Sequence, residues 1–158
     1  MHARKEKPMA TTVHLSEFAN FVGQHLGYSD NYEVTQEQVN LFADATGDHQ
    51  WIHVDPERAK TGPFGGPIAH GYLTLSLIPT LLGSLLRVEG TSMGVNYGTN
   101  KVRFAAPVHV GTKIRAGATV AEVTEIAGGV QVALDVIVEV EGAAKPNCVA
   151  QVVYRYYA

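Results

Sequence analysis

The chain has a single cysteine, Cys148, which excludes an intrachain disulfide and any metal site built from a cysteine cluster. Nor is there an excess of positive charge. Twelve Lys and Arg face fifteen Asp and Glu, for a net charge of −3 with neutral histidines. A nucleic-acid groove or a polybasic membrane face needs concentrated positive charge, so neither partner is expected. No apolar run reaches membrane length. The most apolar stretch, Gly71 to Leu86, is sixteen residues long, carries Thr74, Ser76 and Ser84, and is interrupted by Pro79. A bilayer span needs about 20 mostly apolar residues. The basic opening MHARKEKPM is followed by no apolar core, so it does not read as a secretory signal and the expected compartment is the cytoplasm.

What is present is globular. Hydrophobic residues make up 46% and charged residues 17% of the 158, close to one ordinary domain. The expected organisation is a flexible tail over residues 1–12 and one domain over 13–158, with no repeat or linker. Apolar residues at Leu15, Phe18, Ala19, Val22 and Leu26 fall at helical period and predict a helix stopped by Gly27. Thr35 with Gln38 has the form of a capping box. It opens a helix that turns Val39, Phe42 and Ala43 inward and ends near Gly47. Asp55-Pro56 is an N-cap carboxylate before a proline at the first helical position, starting a short helix that Gly62-Pro63 breaks. The Gly71–Leu86 stretch reads as a buried core helix, because a helix apolar nearly all round must be wrapped by protein.

After Arg87 the period changes. Val130, Val132, Leu134, Val136, Val138 and Val140 alternate with a mostly polar set, the pattern of a half-buried antiparallel strand. Gly128-Gly129 reads as a hairpin turn with Lys113–Ile126 as the partner strand. Cys148–Tyr157 and Tyr97–Pro107 read as further strands. A long apolar helix followed by a meander predicts an α+β fold in which an antiparallel sheet wraps the helix. Cys148, in a strand pattern, reads as a buried structural thiol.

The chemistry-bearing residues concentrate in Ala45–Asp55, where two short helices flank a loop holding Asp48, His49, Gln50, Trp51 and His53. Rigid elements around a loop rich in titratable groups are a common way to build a site. The alternative is a solvated loop whose Asp and His cap helix ends, the role expected of Asp55. Asp48 and His53 can share proton removal and delivery at one water if the chain between them bends. His49 and His53 have a zinc-compatible spacing only on a continuous helix, and no third ligand is evident, so no metal is expected. Farther on, Phe64-Gly65-Gly66-Pro67-Ile68-Ala69-His70-Gly71 runs into the apolar helix. A helix start carries unpaired N–H groups, and glycine allows an oxyanion close approach. The same segment also reads as a tight turn with His70 packed in the core.

Taken together, TGDHQWIHVDPERAKTGPFGGPIAHGYLTLSLIP resembles the hydratase-2 motif of MaoC-like dehydratases, the (R)-specific enoyl-CoA hydratases. Thr46, Gly47, Asp48, His53, Asp55, Phe64, Gly65, Ile68, Ala69, His70 and Gly71 match with order and spacing kept. The run from Asn100 to Gly111 is similar to the family's following strand and turn, so the resemblance spans roughly residues 33 to 155. It implies a hotdog fold with a long central helix wrapped by an antiparallel sheet, a homodimer, Asp48 and His53 as the catalytic pair, and the Gly71 N–H as a donor to the thioester oxygen. Gln50, Trp51 and His70 are candidates for substrate binding; Gln50 and Trp51 stand where the family usually has Asn and Pro. The implied activity is reversible hydration of trans-2-enoyl-CoA to (R)-3-hydroxyacyl-CoA in fatty acid metabolism. No cofactor is implied, because CoA is the carrier of the substrate. A 3-hydroxyacyl-ACP dehydratase component, a hotdog thioesterase and a non-catalytic acyl-thioester-binding protein are the competing readings. Leu73, Leu77 and Trp51 are candidates for setting acyl length, and Lys101 and Arg103 for meeting the CoA phosphates.

Overall fold

The structure, a computed structural model, describes residues 9–158. Residues 1–8 of the expected tail lie outside the described residues; Thr11 and Thr12 already belong to the first strand.

The meander forms the wall of the molecule. Strands β1 (Thr11–His14), β2 (His25–Tyr28), β3 (Tyr32–Glu33), β4 (Leu86–Glu89), β5 (Met93–Arg103), β6 (Lys113–Ile126), β7 (Gly129–Glu139) and β8 (Cys148–Tyr157) alternate with short helices. The main sheet has the antiparallel order β2-β6-β7-β8-β5, with β3 also pairing β6. Its alternation is the one the valines dictate. Val132, Leu134, Val136 and Val138 of β7 are buried beside Ile114, Ala116, Ala118 and Val120 of β6. They share one core with Leu73, Leu77, Ile78, Leu81 and Leu82 of the apolar stretch. The sheet therefore wraps a helix, as the patterning predicts.

Three local expectations are corrected. The helix expected over Leu15–Leu26 is instead a 3-10 helix over Leu15–Phe21 followed by β2. Leu26 is buried, but from a strand, because the chain is drawn into pairing with β6; Gly23, at φ +83°, donates its N–H to the Val120 carbonyl at 2.7 Å. The apolar stretch forms α4 (Gly71–Ser76) and α5 (Ile78–Leu82), joined through Leu77, and its last residue pairs as strand β4 with β1. Pro79 has no N–H to return to the helix, which explains the break. The hairpin turn is Ala127-Gly128, since Gly129 already pairs with Ile126 and Tyr157. A Cβ on Gly129 would overlap the Tyr156 carbonyl oxygen, so glycine there serves a close strand approach.

The other helices are α1 (Gln36–Thr46), α2 (Trp51–Val54) and α3 (Pro56–Lys60). Thr35 caps α1 by accepting from the Gln38 N–H at 3.2 Å. The reciprocal half of the capping box is absent, because the Gln38 side chain donates to the Tyr32 hydroxyl at 2.7 Å. Asp55 caps α3 through the Arg58 N–H at 3.1 Å, the structural role expected of it. Among the described residues no helix is long and apolar enough to cross a membrane.

Candidate active site

Gly47 ends α1 in the left-handed region at φ +81°, its N–H donating to the Ala43 carbonyl at 2.8 Å. This is the bend that lets Asp48 and His53 converge. The Asp48 carboxylate accepts the Gln50 N–H at 3.3 Å, and the His53 N–H donates to the Gln50 carbonyl at 3.0 Å. A carboxylate oxygen of Asp48 and one ring nitrogen each of His53 and His70 lie within 4.8 Å of one another. Asp48 is exposed, while His53 is 7% and His70 2% exposed. The pair the sequence singles out is thus brought together, with His70 as a third member.

Two tight strappings fix the imidazoles. Ile68 donates its N–H to the Ile52 carbonyl at 3.0 Å, and Ala69 to that of Val108 at 2.8 Å. The segment before α4 is thereby pinned against both α2 and the chain entering β6. From there the Ile68 carbonyl meets His53 Nδ1 at 2.6 Å. A carbonyl only accepts, so Nδ1 carries the proton and neutral His53 keeps its Nε2 lone pair. By the same logic His70 donates from Nε2 to the Asp48 carbonyl at 2.9 Å, holding the loop that bears Asp48. The two rings stack at 3.8 Å between centroids and 25° between planes. Burial, chiefly, lowers the His53 pKa below that of a free imidazole; His70 pushes the same way, and the Ile68 bond and the Asp48 charge oppose it.

A cavity of about 260 Å³ opens beside His53 and Gly71, walled by Phe64, Ile68, Ala106 and Val108 among others. Gly71 is the first residue of α4, where no intrahelical carbonyl awaits its N–H. A Cβ there would come within 2.7 Å of the Phe104 ring, so the glycine also makes room for packing.

The remaining candidates sit elsewhere. His49 is exposed and bonded to Asp44 at 2.8 Å, which raises its pKa, so the His49/His53 spacing does not form a metal pair. Trp51 packs on α3 with Arg58 over its ring at 4.3 Å and is not in the cavity wall. Gln50 precedes α2 and its side chain makes no capping bond. Leu73 and Leu77 lie in the core and do not line the cavity. Lys101 and Arg103 are exposed on β5, with Arg103 donating to the Val102 carbonyl at 2.7 Å. Cys148 is fully buried, its pKa pushed up to about 11 by burial, in keeping with a structural thiol.

Sequence reasoning missed Gln36, whose Nε2 donates to the His53 carbonyl at 2.8 Å, and Asn147, which lines the cavity. Among the described residues, three buried side-chain atoms have no hydrogen-bond partner: Gln36 Oε1, His70 Nδ1 and Asn147 Oδ1. Buried polar atoms are otherwise nearly always paired. All three belong to residues that touch His53 or share its cavity. Nothing in the local patterns of Gln36 and Asn147 could have announced their place there.

A MaoC like domain matches residues 17–142. The chain is 52% identical over 151 residues to 3-hydroxyacyl-thioester dehydratase Z of Mycobacterium tuberculosis, across 95% of this chain and 100% of that protein. Among solved structures it is similar to an (R)-hydratase from A. caviae involved in PHA biosynthesis (TM-score 0.68, 28% identity, 84% of this chain and 94% of that one). It is also similar to a monoamine oxidase regulatory protein from Archaeoglobus (TM-score 0.74, 26% identity, 95% and 98%).

Proposed function

The chain belongs to the MaoC-like dehydratase family and has its hotdog fold, and from that premise we propose that this hydro-lyase of the 3-hydroxyacyl-thioester type hydrates trans-2-enoyl-CoA reversibly to (R)-3-hydroxyacyl-CoA. The observation that carries the reading is the convergence of Asp48 with a buried imidazole whose Nε2 is left free by the Ile68 carbonyl.

The thioester carbonyl accepts from the Gly71 N–H, which stabilises the enolate as it forms. Water held between Asp48 and His53 Nε2 adds its oxygen to C3, and its proton passes to the pair. A proton from the pair is delivered to C2, the enolate collapses, and the enzyme returns to its starting state. Dehydration is the same path reversed. Asp48 and His53 act on the same water, so the two transfers belong to the pair. The apolar wall keeps bulk water from the acyl chain. The thioester supplies the electrophilicity, so this path draws on no metal and no cofactor.

We also infer a homodimer. β5 is an edge strand exposed along its length except at half-buried Val102, and it carries Met93, Val95 and Tyr97 outward. A long uncovered apolar edge invites pairing with another chain. Phe104, just past its end, lies over Gly71, so such pairing would close around the site.

Loss of enoyl absorbance on incubating the purified chain with crotonyl-CoA, followed by chiral analysis of the product, tests the reading. The (R)-3-hydroxy product is expected. Hydrolysis to free CoA would favour a thioesterase, and binding without turnover a binding module.

A further inference from the structure

Asn147 stands in the wall of the same cavity, and the hydration chemistry makes no use of it. It lies in the loop between β7 and β8 and is held at two points. Its backbone N–H donates to the Val138 carbonyl at 2.8 Å. Its side-chain Nδ2 donates to the Pro107 carbonyl at 3.0 Å. The residue is only 6% exposed, and its Oδ1 is buried with no partner. The neighbouring wall is apolar: Phe64, Ile68, Ala106, Pro107 and Val108. A pinned carboxamide cannot turn to satisfy its oxygen elsewhere, and an apolar side chain of similar size would fill the place without leaving an acceptor unmet.

We propose that Asn147 is a specificity-determining residue that accepts a hydrogen bond from a hydroxyl on the acyl chain beyond C3. The preferred substrates are then acyl thioesters with a hydroxylated chain, not plain alkyl ones. This deepens the hydratase reading and rests on it, since it takes the cavity beside His53 and Gly71 as the acyl site. Its volume, about 260 Å³, holds on the order of eight groups of water size at about 30 Å³ each, room enough for a chain that continues past C3. Selectivity follows from the unpaired oxygen. A site built to bond a substrate hydroxyl discriminates strongly against the analogue that lacks it, because the buried acceptor is then left without a donor.

The test uses full-length protein and saturated hexanoyl-CoA, which cannot react, against analogues with a hydroxyl at C4, C5 or C6. Binding is measured by calorimetry, and crotonyl-CoA hydration is followed in parallel. At least one hydroxylated analogue should bind about 10-fold or more tighter than hexanoyl-CoA. Asn147→Val should abolish or reverse that preference, because it removes the acceptor that the hydroxyl meets. Equal binding of all analogues by the wild type, or an unchanged ratio in Asn147→Val, overturns the proposal. If the variant does not fold, the wild-type ratio decides alone. Selective binding without crotonyl-CoA turnover would sink the hydratase reading and leave the acceptor role of Asn147 standing. Turnover without selectivity would do the opposite.

Discussion

The imidazole of His53 is placed where burial opposes its charge, and its Nδ1 proton is committed to a backbone carbonyl. Its folded pKa lies below the free value of 6.5, so between the two the unfolded chain binds more protons than the folded one, and stability rises with pH. The contribution of neutral His53 is complete above about pH 6.5 and is lost as pH falls through the folded value. Thermal denaturation between pH 7.5 and pH 5 should therefore show a steeper fall in Tm for the wild type than for His53→Gln; parallel profiles would refute this. His49, raised by Asp44, acts with the opposite sign but equally in both proteins. At Gly71 the structure changes what a substitution means. A side chain there meets the Phe104 ring before it meets any substrate. Gly71→Ala should lower kcat by about 10-fold or more, since one oxyanion donor is worth about 10²–10³ and the displaced ring disturbs its alignment. Phe104→Ala on that background should recover part of the rate. Unchanged kcat in Gly71→Ala would remove the oxyanion assignment.

Among the elements, α1 matters because its last turn launches the loop that carries Asp48. Thr35→Ala removes the cap and should cost about 1 kcal/mol, read as a lower urea midpoint with KM unchanged. A shift in KM would show that the cap also tunes the site. Strands β5 to β8 were legible in the sequence to within a few residues, since valine alternation in β7 records a sheet with one face on a core. The 3-10 helix and strands β1 to β4 were not. Leu15, Phe18 and Leu26 suit a helical face as well as they suit their actual places, and the choice is made by backbone groups of β6, remote in sequence. Likewise Asp48 and His53 could be named from their motif. Ile68 as the tautomer-fixing carbonyl, Gln36 behind His53 and Asn147 in the wall depend on contacts among segments that no local spacing encodes.

For the molecule as a whole, the proposed dimer rests on the uncovered β5 edge. Sedimentation of active protein should give about twice the chain mass of 17.0 kDa. Replacing Val95 and Tyr97 by lysine, which places charge on the edge, should shift it toward the single-chain value and lower activity with it. A wild type that is both active and monomeric would contradict the dimer. Dialysis against a chelator should leave the rate unchanged, and a loss restored by a divalent ion would mean that Asp48, His53 and His70 hold a metal.

The most direct measurement is the double-mutant cycle of Asp48→Asn and His53→Gln on crotonyl-CoA. General acid–base groups are each worth about 10²–10⁴ in rate, so each single variant should lose at least about 10² in kcat with little change in KM. Groups working on one water are strongly non-additive, and the double variant should be scarcely slower than the poorer single one. A single variant that keeps most of its activity, or two losses that multiply in full, would contradict an Asp48–His53 pair acting as a unit.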